Sequence, residues 1–600
     1  MNYHTCPNLA VMFFDEAARQ GGQPFMWAKH QGAYRPLSWE EASRQVAELA
    51  KGLRALGLQR GDRAVLVAEN RPEWIIADLA IMAAGGITVP AYTTHTVEDY
   101  RHVLTNCGAK LVIVSTSFLA SRVLPAAAQA PSVTKAIVIE PPAEGQASRV
   151  ELRSWQAAME LGRAATGNVR DWTSETKRDD IACLIYTSGT GGTPKGVMTT
   201  HGNILANCFS AHGLLEKIGL GHEVFLSFLP LSHSYEHMAG MMFPISLGAQ
   251  IYFAEGADTL TTNLVEARPT IMTAVPRLYE AFHQRLLRMV ARESALRKRL
   301  FNRALELGLK RYDDPASLSL VERFKDMLLD RLVRDKLRAR FGGRLKAMVS
   351  GGAPLNPEIG RFFLALGLRL LQGYGQTEAS PVISANPPDR IRIETVGPPV
   401  SGVEVRVAPD GELLVRGPSV TKGYWNDAEA TSRNFIDGWL HTGDVGEIDP
   451  DGYIRITDRK KDFIKTSGGD MIAPTRIEGQ LTLQSEIGQA MVAGDSKPYL
   501  VAVIVPSLEL VEGVARRHPL PANTKLADNP EIAKAVGEAV KRVNAALPTL
   551  ERIRRFLIAE EPFTTANGQM TPTLKIRRHI IRRAYGEALD ALYEKPSNNN

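Results

Sequence analysis

Short apolar runs ending in glycine or proline alternate with helical stretches through the first two thirds of the chain, and few architectures accept that rhythm. RAVLVAEN (63–70), PEWIIADLAIMAAGG (72–86), AKLVIVST (109–116) and KAIVIE (135–140) form one series. EVFLSFLPL (223–231), AQIYFAEG (249–256), PTIMTAVP (269–276), LKAMVSGGAP (345–354) and LRLLQGYGQTE (368–378) form a second. Strand–helix alternation implies parallel sheets covered by helices, so two series predict two α/β lobes. From about Thr395 short strands broken by turn residues, VEVRVAPDGELLVRG (403–417) and DGWLHTGDVGEIDPDGYIRITDR (437–459), read as a small antiparallel barrel or sheet. After Arg459 a new mixed pattern begins. The expected fold is multidomain α/β: a large N-terminal domain over 1–458, made of two sheet lobes and a small β-barrel, then a small α+β domain over 459–600.

Size agrees, since 600 residues exceed what one core organises. With 44% hydrophobic and 23% charged residues, neither a collagenous nor a largely disordered chain is expected. Only the terminal KPSNNN reads as disordered. Cys6, Cys107, Cys183 and Cys208 are far apart with no CxxC pair, which argues against a disulfide framework or a structural zinc and for a reducing cytoplasm. The N-terminus lacks a basic n-region and soon meets Asp15 and Glu16, unlike a secretory signal. Leu79–Ala91 and Met238–Ala254 contain glycine or proline and fall short of the ~20 apolar residues that span a bilayer.

The net charge of +6 is unevenly placed. Residues 268–346 hold 20 Lys/Arg against 9 Asp/Glu, a net +11, and residues 459–600 hold 21 against 16. Within the first region, RLLRMVARESALRKRLFNRALELGLKRY (285–312) has apolar residues at helical spacing with Arg and Lys between them. Such a face either is simply solvated or attracts anionic lipid. No nucleic-acid partner is expected, because interleaved exposed aromatics, a finger spacing and a helix-turn-helix are all missing.

Chemistry concentrates in IACLIYTSGTGGTPKGVMTTHGNI (181–204), where an apolar strand enters a Ser/Thr/Gly loop that ends at Lys195. Glycines let backbone N–H groups turn toward an anion, hydroxyls add donors and the lysine adds a point charge, so the loop suits a polyphosphate. Gly196 follows Lys195, so the segment is not the GxxxxGK[ST] of a P-loop. HSYEH (233–237) matches the H-x-x-E-H zinc pattern, but no third ligand is advertised and the segment follows Pro230 in a loop-like setting.

The 181–204 segment resembles the signature of the adenylate-forming superfamily, and further motifs recur in order. SGGAP (350–354) looks like its adenine-side loop, GYGQTEAS (373–380) its substrate and magnesium motif, and HTGD (441–444) its ribose-binding aspartate. DRKKDFIKTSGG (458–469) resembles the hinge and NGQMTPTLKIRR (567–578) the segment with the catalytic lysine. The basic stretch over 281–340, with PLSHSYEH and GGDMIAPTRIE (468–478), looks like the bacterial long-chain fatty acyl-CoA synthetase branch.

The resemblance implies ATP-dependent activation of a long-chain fatty acid through an acyl-adenylate to acyl-CoA, with ATP and Mg²⁺ as cofactors and CoA as co-substrate. It places Thr187, Ser188, Gly189, Thr190, Gly191, Gly192, Lys195, Gly352, Ala353, Pro354, Gly373, Tyr374, Gly375, Gln376, Thr377, Asp444, Arg459 and Lys465 around ATP or AMP. Glu378 and Thr187 would hold the metal, and a carboxylate suits Mg²⁺. Lys575, His233 and Lys195 would serve catalysis, Lys461 the hinge of a mobile C-terminal lid, and Gly468 and Gly469 a CoA channel. Tyr235 and His237 fall at an acyl gate. Asp444 and Arg459 could equally close a loop, and Gly468–Gly469 could be only a hairpin turn. Gly191 replaces a hydroxyl residue common in the family's loop, a loss on the scale of ~1.5–3 kcal/mol for a hydrogen bond to a charged group. A fatty acyl-AMP ligase serving a carrier protein, a medium-chain or aryl synthetase, a luciferase-like monooxygenase and a silent lipid-binding protein are the competing readings. The expected setting is cytoplasmic, with peripheral contact at the inner face of an anionic membrane; a homodimer is compatible with the sequence.

Overall fold

The computed structural model describes residues 1–143, 149–187, 193–256, 258–518, 525–571 and 573–594. The terminal KPSNNN lies outside them. Two compact units emerge, one of Met1–Ala408, Leu414–Thr442 and Ile448–Arg455, the other of Pro409–Leu413, Gly443–Glu447 and Ile456–Asn600.

In the first unit both series of apolar runs become sheets. A seven-stranded sheet runs in the order Glu151–Ser154, Lys135–Val138, Leu111–Val114, Arg63–Val67, Ile87–Pro90, Ile181–Thr187, Lys195–Thr200, and every neighbouring pair is parallel except the last. Its inner strands bury both faces: Ala64 and Leu66 enter one apolar cluster, Val65 and Val67 the other. That two-residue alternation with no polar side explains why these runs read as continuously hydrophobic. An eight-stranded sheet follows the same logic, with a parallel centre from Leu370–Gly375 through Ala347–Ser350, Ile271–Ala274, Val224–Ser227 and Gln250–Phe253 to Pro24–His30, and antiparallel edges at Val382–Ala385 and Ala33–Ser38. Apolar side chains from both sheets, with Phe13, Phe25, Trp39 and Trp74, make one large core.

Helices dock closely where side chains are absent. Gly52 on Trp39–Ala55 faces the backbone of Ala158, and Gly162 on Trp155–Ala164 faces that of Glu48, so a Cβ at either would collide with a carbonyl. The basic stretch after residue 275 forms helices Pro276–Ala291, Ala295–Asp313 and Leu320–Leu329. In the first two, Tyr279, Phe282, Leu286, Phe301, Ala304 and Leu307 are buried, so much of the apolar spacing read in 285–312 is spent on packing, while Leu287 and Leu296 stay exposed. Among the described residues no helix is long and apolar enough to cross a membrane.

A five-stranded sheet is built from Glu404–Val407, Glu412–Arg416, Trp439–Ile448, Phe435–Ile436 and Ile454–Arg459. The second unit centres on a three-stranded sheet, Ile487–Ala493, Leu500–Pro506 and Ile553–Ile558, whose middle strand is wholly buried, with helices Pro474–Thr482 and Pro530–Ala546 on its apolar cluster.

Candidate active site

The strand Ile181–Thr187 turns back as Lys195–Thr200, and Thr187 pairs with Lys195 across the ladder, which brings the two ends of the loop side by side. Ser188, Gly189, Thr190, Gly191 and Gly192 lie outside the described residues. Beyond it, the backbone of 422–425 pairs with the lysine-bearing strand: Met198 N–H donates to Gly423 O and Trp425 N–H to Gly196 O. This seats Tyr424 and Asp427 around Lys195, whose Nζ lies 3.2 Å from Asp427 Oδ2 and 5.3 Å from the Tyr424 ring centre. The Tyr424 hydroxyl donates to Glu378 Oε1 at 2.8 Å and accepts from Asn434 Nδ2 at 3.0 Å. Lys195 and Glu378, far apart in sequence, thus share one tyrosine.

Glu378 sits in the short turn Thr377–Ala379, directly after the strand Leu370–Gly375 that carries Gly373, Tyr374 and Gly375. Gly375 has no room for a side chain, since a Cβ would meet Pro381 O. Asn207, on helix His201–Leu215, clamps the turn by donating to Ala379 O and Val382 O and accepting from the Val382 N–H. The Thr377 hydroxyl meets that of Ser234 at 3.0 Å, tying the turn to the HSYEH segment. The Gln376 side-chain nitrogen and the Ser350 hydroxyl are buried without partners among the described residues. Buried donors of this kind cost free energy until an acceptor reaches them, which suits a polar ligand here.

The HSYEH segment runs into a π-helical turn over Glu236–Met242, a geometry that often re-aims side chains at functional sites. Tyr235, Glu236 and His237 are each anchored to remote elements. Tyr235 donates to Val349 O and packs on Gly351, so that a Cβ there would crowd its ring. Gly352, Ala353 and Pro354 continue from Gly351, and Gly352 has φ 82°. Glu236 is fully buried and accepts from Ser227 Oγ at 2.7 Å and Thr273 Oγ1 at 2.9 Å; burial pushes its carboxyl up to about 7. The His237 ring is 1% exposed and lies 3.1 Å from Asp78 Oδ2, so it belongs to a buried pair. His233 accepts from the Tyr235 N–H at Nδ1 and stands 6.5 Å from the Tyr92 ring.

In the second unit Arg459 Nε lies 3.0 Å from Asp444 Oδ1. Lys575 is half-buried, its N–H donating to Thr571 Oγ1 and its carbonyl accepting from the Thr571 N–H. Burial and the nearby Arg459 charge hold its ammonium down to about 8, against a smaller upward pull from Asp444. Three residues on, Arg578 grips Glu478 with two 2.6 Å bonds, which fastens the lysine segment to helix Pro474–Thr482. Lys461 is exposed in a turn, and Lys465 ends the first strand of the hairpin Ile464–Lys465 and Met471–Ile472. Gly468 and Gly469 are exposed at its tip, Gly469 with φ 89°, so they do make the hairpin turn.

A family model described as AMP-binding enzyme matches residues 13–425, and one described as AMP-binding enzyme C-terminal domain matches 461–597. The chain belongs to the AMP-binding enzyme family. A long-chain-fatty-acid–CoA ligase of Mycobacterium tuberculosis is 34% identical over 596 residues, covering 98% of this chain and 97% of the relative. A peroxisomal long chain acyl-CoA synthetase of Arabidopsis thaliana is 32% identical, covering 94% of this chain and 82% of its own. Among solved structures, the A domain of a carboxylic acid reductase from Segniliparus rugosus, in complex with AMP and a co-purified carboxylic acid, superposes with a TM-score of 0.75 at 22% identity. It covers 98% of this chain and 94% of that one, and shows the shared fold.

Sequence reasoning missed the partners that position the site. Tyr424, Asp427 and Asn434 lie in YWNDAEATSRN, which carries no motif, and only pairing with the strand after Lys195 brings them in. Asp78 did leave a signal, an acid in the middle of the apolar stretch IIADLAIM. A buried acid of that kind is rare unless paired. Among the described residues no three His, Cys, Asp or Glu cluster as a metal cage. Glu378 still fits Mg²⁺, because Tyr424 occupies Oε1 and the other carboxylate oxygen remains as a hard ligand; Mg²⁺ is ordinarily held by one or two carboxylates plus substrate phosphates.

Proposed function

We propose that this enzyme joins a long-chain fatty acid to coenzyme A, with ATP split to AMP and pyrophosphate through an acyl-adenylate. The observation that carries it is the Lys195–Tyr424–Glu378 network, found in a chain whose near-full-length relatives are long-chain ligases. A fatty-acid carboxylate oxygen attacks the α-phosphorus of ATP and pyrophosphate leaves. The thiolate sulfur of CoA then attacks the acyl carbon, and AMP departs with the oxygen that had bridged carbonyl and phosphorus.

Lys195 sets a positive charge at the end of the Ser/Thr/Gly loop, where it steadies the polyphosphate, with Thr187 and Ser188 to Gly192 as donors. Mg²⁺, when held by Glu378 and Thr187, neutralises phosphate charge and orients the leaving group. The loop Gly352–Pro354 and the strand end Gly373–Thr377 border the adenine and the acyl carboxyl, with His233 beside the reacting carboxyl. Asp444 accepts from the ribose hydroxyls, with Arg459, paired to it, beside the same ribose or phosphate; Lys465 joins the nucleotide contacts. Lys575 places positive charge on the transferring oxygens. Lys461 serves as the hinge between half-reactions, and Gly468 and Gly469 line the pantetheine path. Tyr235 and His237 form the wall at the acyl entrance, Tyr235 held by Val349 and His237 by Asp78.

The enzyme works in the cytoplasm, in peripheral contact with anionic membrane through the region 281–340. Four buried, unpaired cysteines support the reducing compartment, and the +11 charge of residues 268–346 supports the membrane contact.

Pyrophosphate release with MgATP and saturated acids from acetate to stearate, with and without CoA, tests the reading. Turnover that needs CoA and peaks between laurate and stearate is expected. A peak at short or aromatic acids would overturn the substrate, and a single burst indifferent to CoA would overturn the acceptor. Lys575→Ala is expected to fail in adenylation while still converting supplied acyl-AMP to thioester.

A further inference from the structure

Helix Leu320–Leu329 and the π-helical turn Asp330–Arg334 after it wear their apolar side chains on the outside. Leu320 is 83% exposed, Val321 62%, Phe324 64%, Met327 64%, Leu328 49% and Leu332 46%. The spacing repeats once per helical turn, so the six make one stripe. The stripe is surplus to the core, because the same segment packs inward through Leu329, with Leu318, Ala304 and Leu307. Contiguous exposed apolar surface of this kind ordinarily marks an interaction site.

The charges flanking the stripe are one-sided. Its acids are drawn inward: Glu322 to Lys310 at 2.9 Å, Asp326 to Arg334 at 2.6 Å and to Arg311 at 2.7 Å, and Asp330 to Arg338 at 2.6 Å. Arg334 is itself buried and donates to Ala304 O and Ala365 O, which pins the segment. Lys325 and Arg331 are exposed and have no carboxylate partner among the described residues, and Arg323 bonds only the Leu318 carbonyl. The outer face is therefore apolar with a basic border.

We propose that this stripe is the membrane-insertion element of the enzyme, lying in the interface of an anionic bilayer with Phe324 and Met327 among the acyl chains and Arg323, Lys325 and Arg331 at the headgroups. The proposal rests on the membrane contact put forward above and narrows it from the whole basic region to one helix. A second copy of the chain fits worse, since a self-complementary contact would set these cations against each other. The helices Pro276–Ala291 and Ala295–Asp313 supply charge to the surroundings, whereas most of their apolar residues are committed to packing.

Flotation of the full chain with vesicles of phosphatidylcholine and phosphatidylglycerol, or of phosphatidylcholine alone, tests it. Three forms are compared: wild type, Phe324→Glu with Met327→Glu, and Arg292→Glu with Arg299→Glu on the neighbouring helices. Wild type is expected to float with the anionic vesicles, the stripe variant to lose about tenfold or more in affinity, and the helix variant to lose a few-fold. Circular dichroism and turnover of octanoate in solution show whether each variant is folded. If wild type fails to float, the membrane contact and the stripe assignment fall together. If it floats and the stripe variant floats equally, the contact stands and this assignment is overturned. If the stripe substitutions instead abolish a concentration-dependent dimer without changing flotation, the stripe is a face between copies and the proposal is wrong.

Discussion

In the proposed function Lys575 acts as a cation, and its pKa, lowered to about 8 by burial and the nearby Arg459 charge, puts the loss of that charge within reach of ordinary assays. The protonated form dominates below that value, so kcat/KM for adenylation is expected to fall above about pH 8, close to tenfold per unit. Lys575→Arg, which stays charged, should move that limb upward wherever the variant retains activity; an unchanged limb would assign the titration to another group. Tyr424 is a positioning residue of a different kind. Tyr424→Phe removes the donor that holds one oxygen of Glu378, and KM for MgATP is expected to rise about tenfold with little change in unfolding temperature. Glu236 bears on stability. Its carboxyl titrates near 7 in the native state against 4.5 in the unfolded chain, so the native state keeps a proton that the unfolded chain releases earlier. Stability from this group is therefore full below about pH 4.5 and declines as pH rises toward 7, by about 3 kcal/mol over the range. Denaturant unfolding at pH 5 and pH 8 should show that decline in wild type and a smaller one in Glu236→Gln; parallel losses would remove the carboxyl as its cause.

Packing of whole elements shows where glycine is a structural need and where it is incidental. Gly162 lets helix Trp155–Ala164 lie against the carbonyl of Glu48, and an added methyl has nowhere to go without parting the two helices. Gly162→Ala is expected to destabilise the N-terminal unit by about 3 kcal/mol. Gly586, within helix Arg578–Ala591, meets no atom within 4 Å at its Cβ position and has an ordinary backbone. Gly586→Ala should stabilise that helix by about 1 kcal/mol, through helix propensity and a less flexible unfolded chain. Thermal unfolding of the two variants checks the contrast, and equal effects would mean that the two helices part at little cost. The Glu378 turn and the Lys575 segment are each held by side chains that helices supply. Asn207 does this for the Glu378 turn and the Arg578–Glu478 pair for the Lys575 segment.

At the level of the whole molecule, the chain divides into two compact units, and the proposed function assigns the hinge between half-reactions to Lys461. A proline at the Lys461 turn fixes φ and removes an N–H. Lys461→Pro is expected to leave acyl-adenylate formation measurable while thioester formation falls about a hundredfold, a rise of about 2.7 kcal/mol in its barrier; equal loss of both would argue against a hinge there. The two lobes, the small β-rich stretch and the separate C-terminal unit were legible in the sequence, because strand and helix periodicities are local and parallel strands buried on both faces announce themselves as unbroken apolar runs. The family was legible for a different reason: the segments at 181–204, 350–354, 373–380, 441–444 and 567–578 resemble the ordered motifs of the adenylate-forming superfamily, and the chain does belong to the AMP-binding enzyme family. What the sequence could not show is whom those residues touch. HSYEH has the spacing of a metal pair, yet its glutamate and second histidine are spoken for by Ser227, Thr273 and Asp78, all remote along the chain. The apolar spacing in 285–312 has the periodicity of a lipid-facing helix, yet only burial against neighbouring helices decides that Leu286, Phe301, Ala304 and Leu307 turn inward and that the next helix, Leu320–Leu329, turns most of its own apolar residues outward. Local pattern determined the elements and the chemical vocabulary of the site; tertiary structure decided which polar groups neutralise one another and which face remains exposed, because hydrogen bonds and burial join residues by distance in space and not by order along the chain.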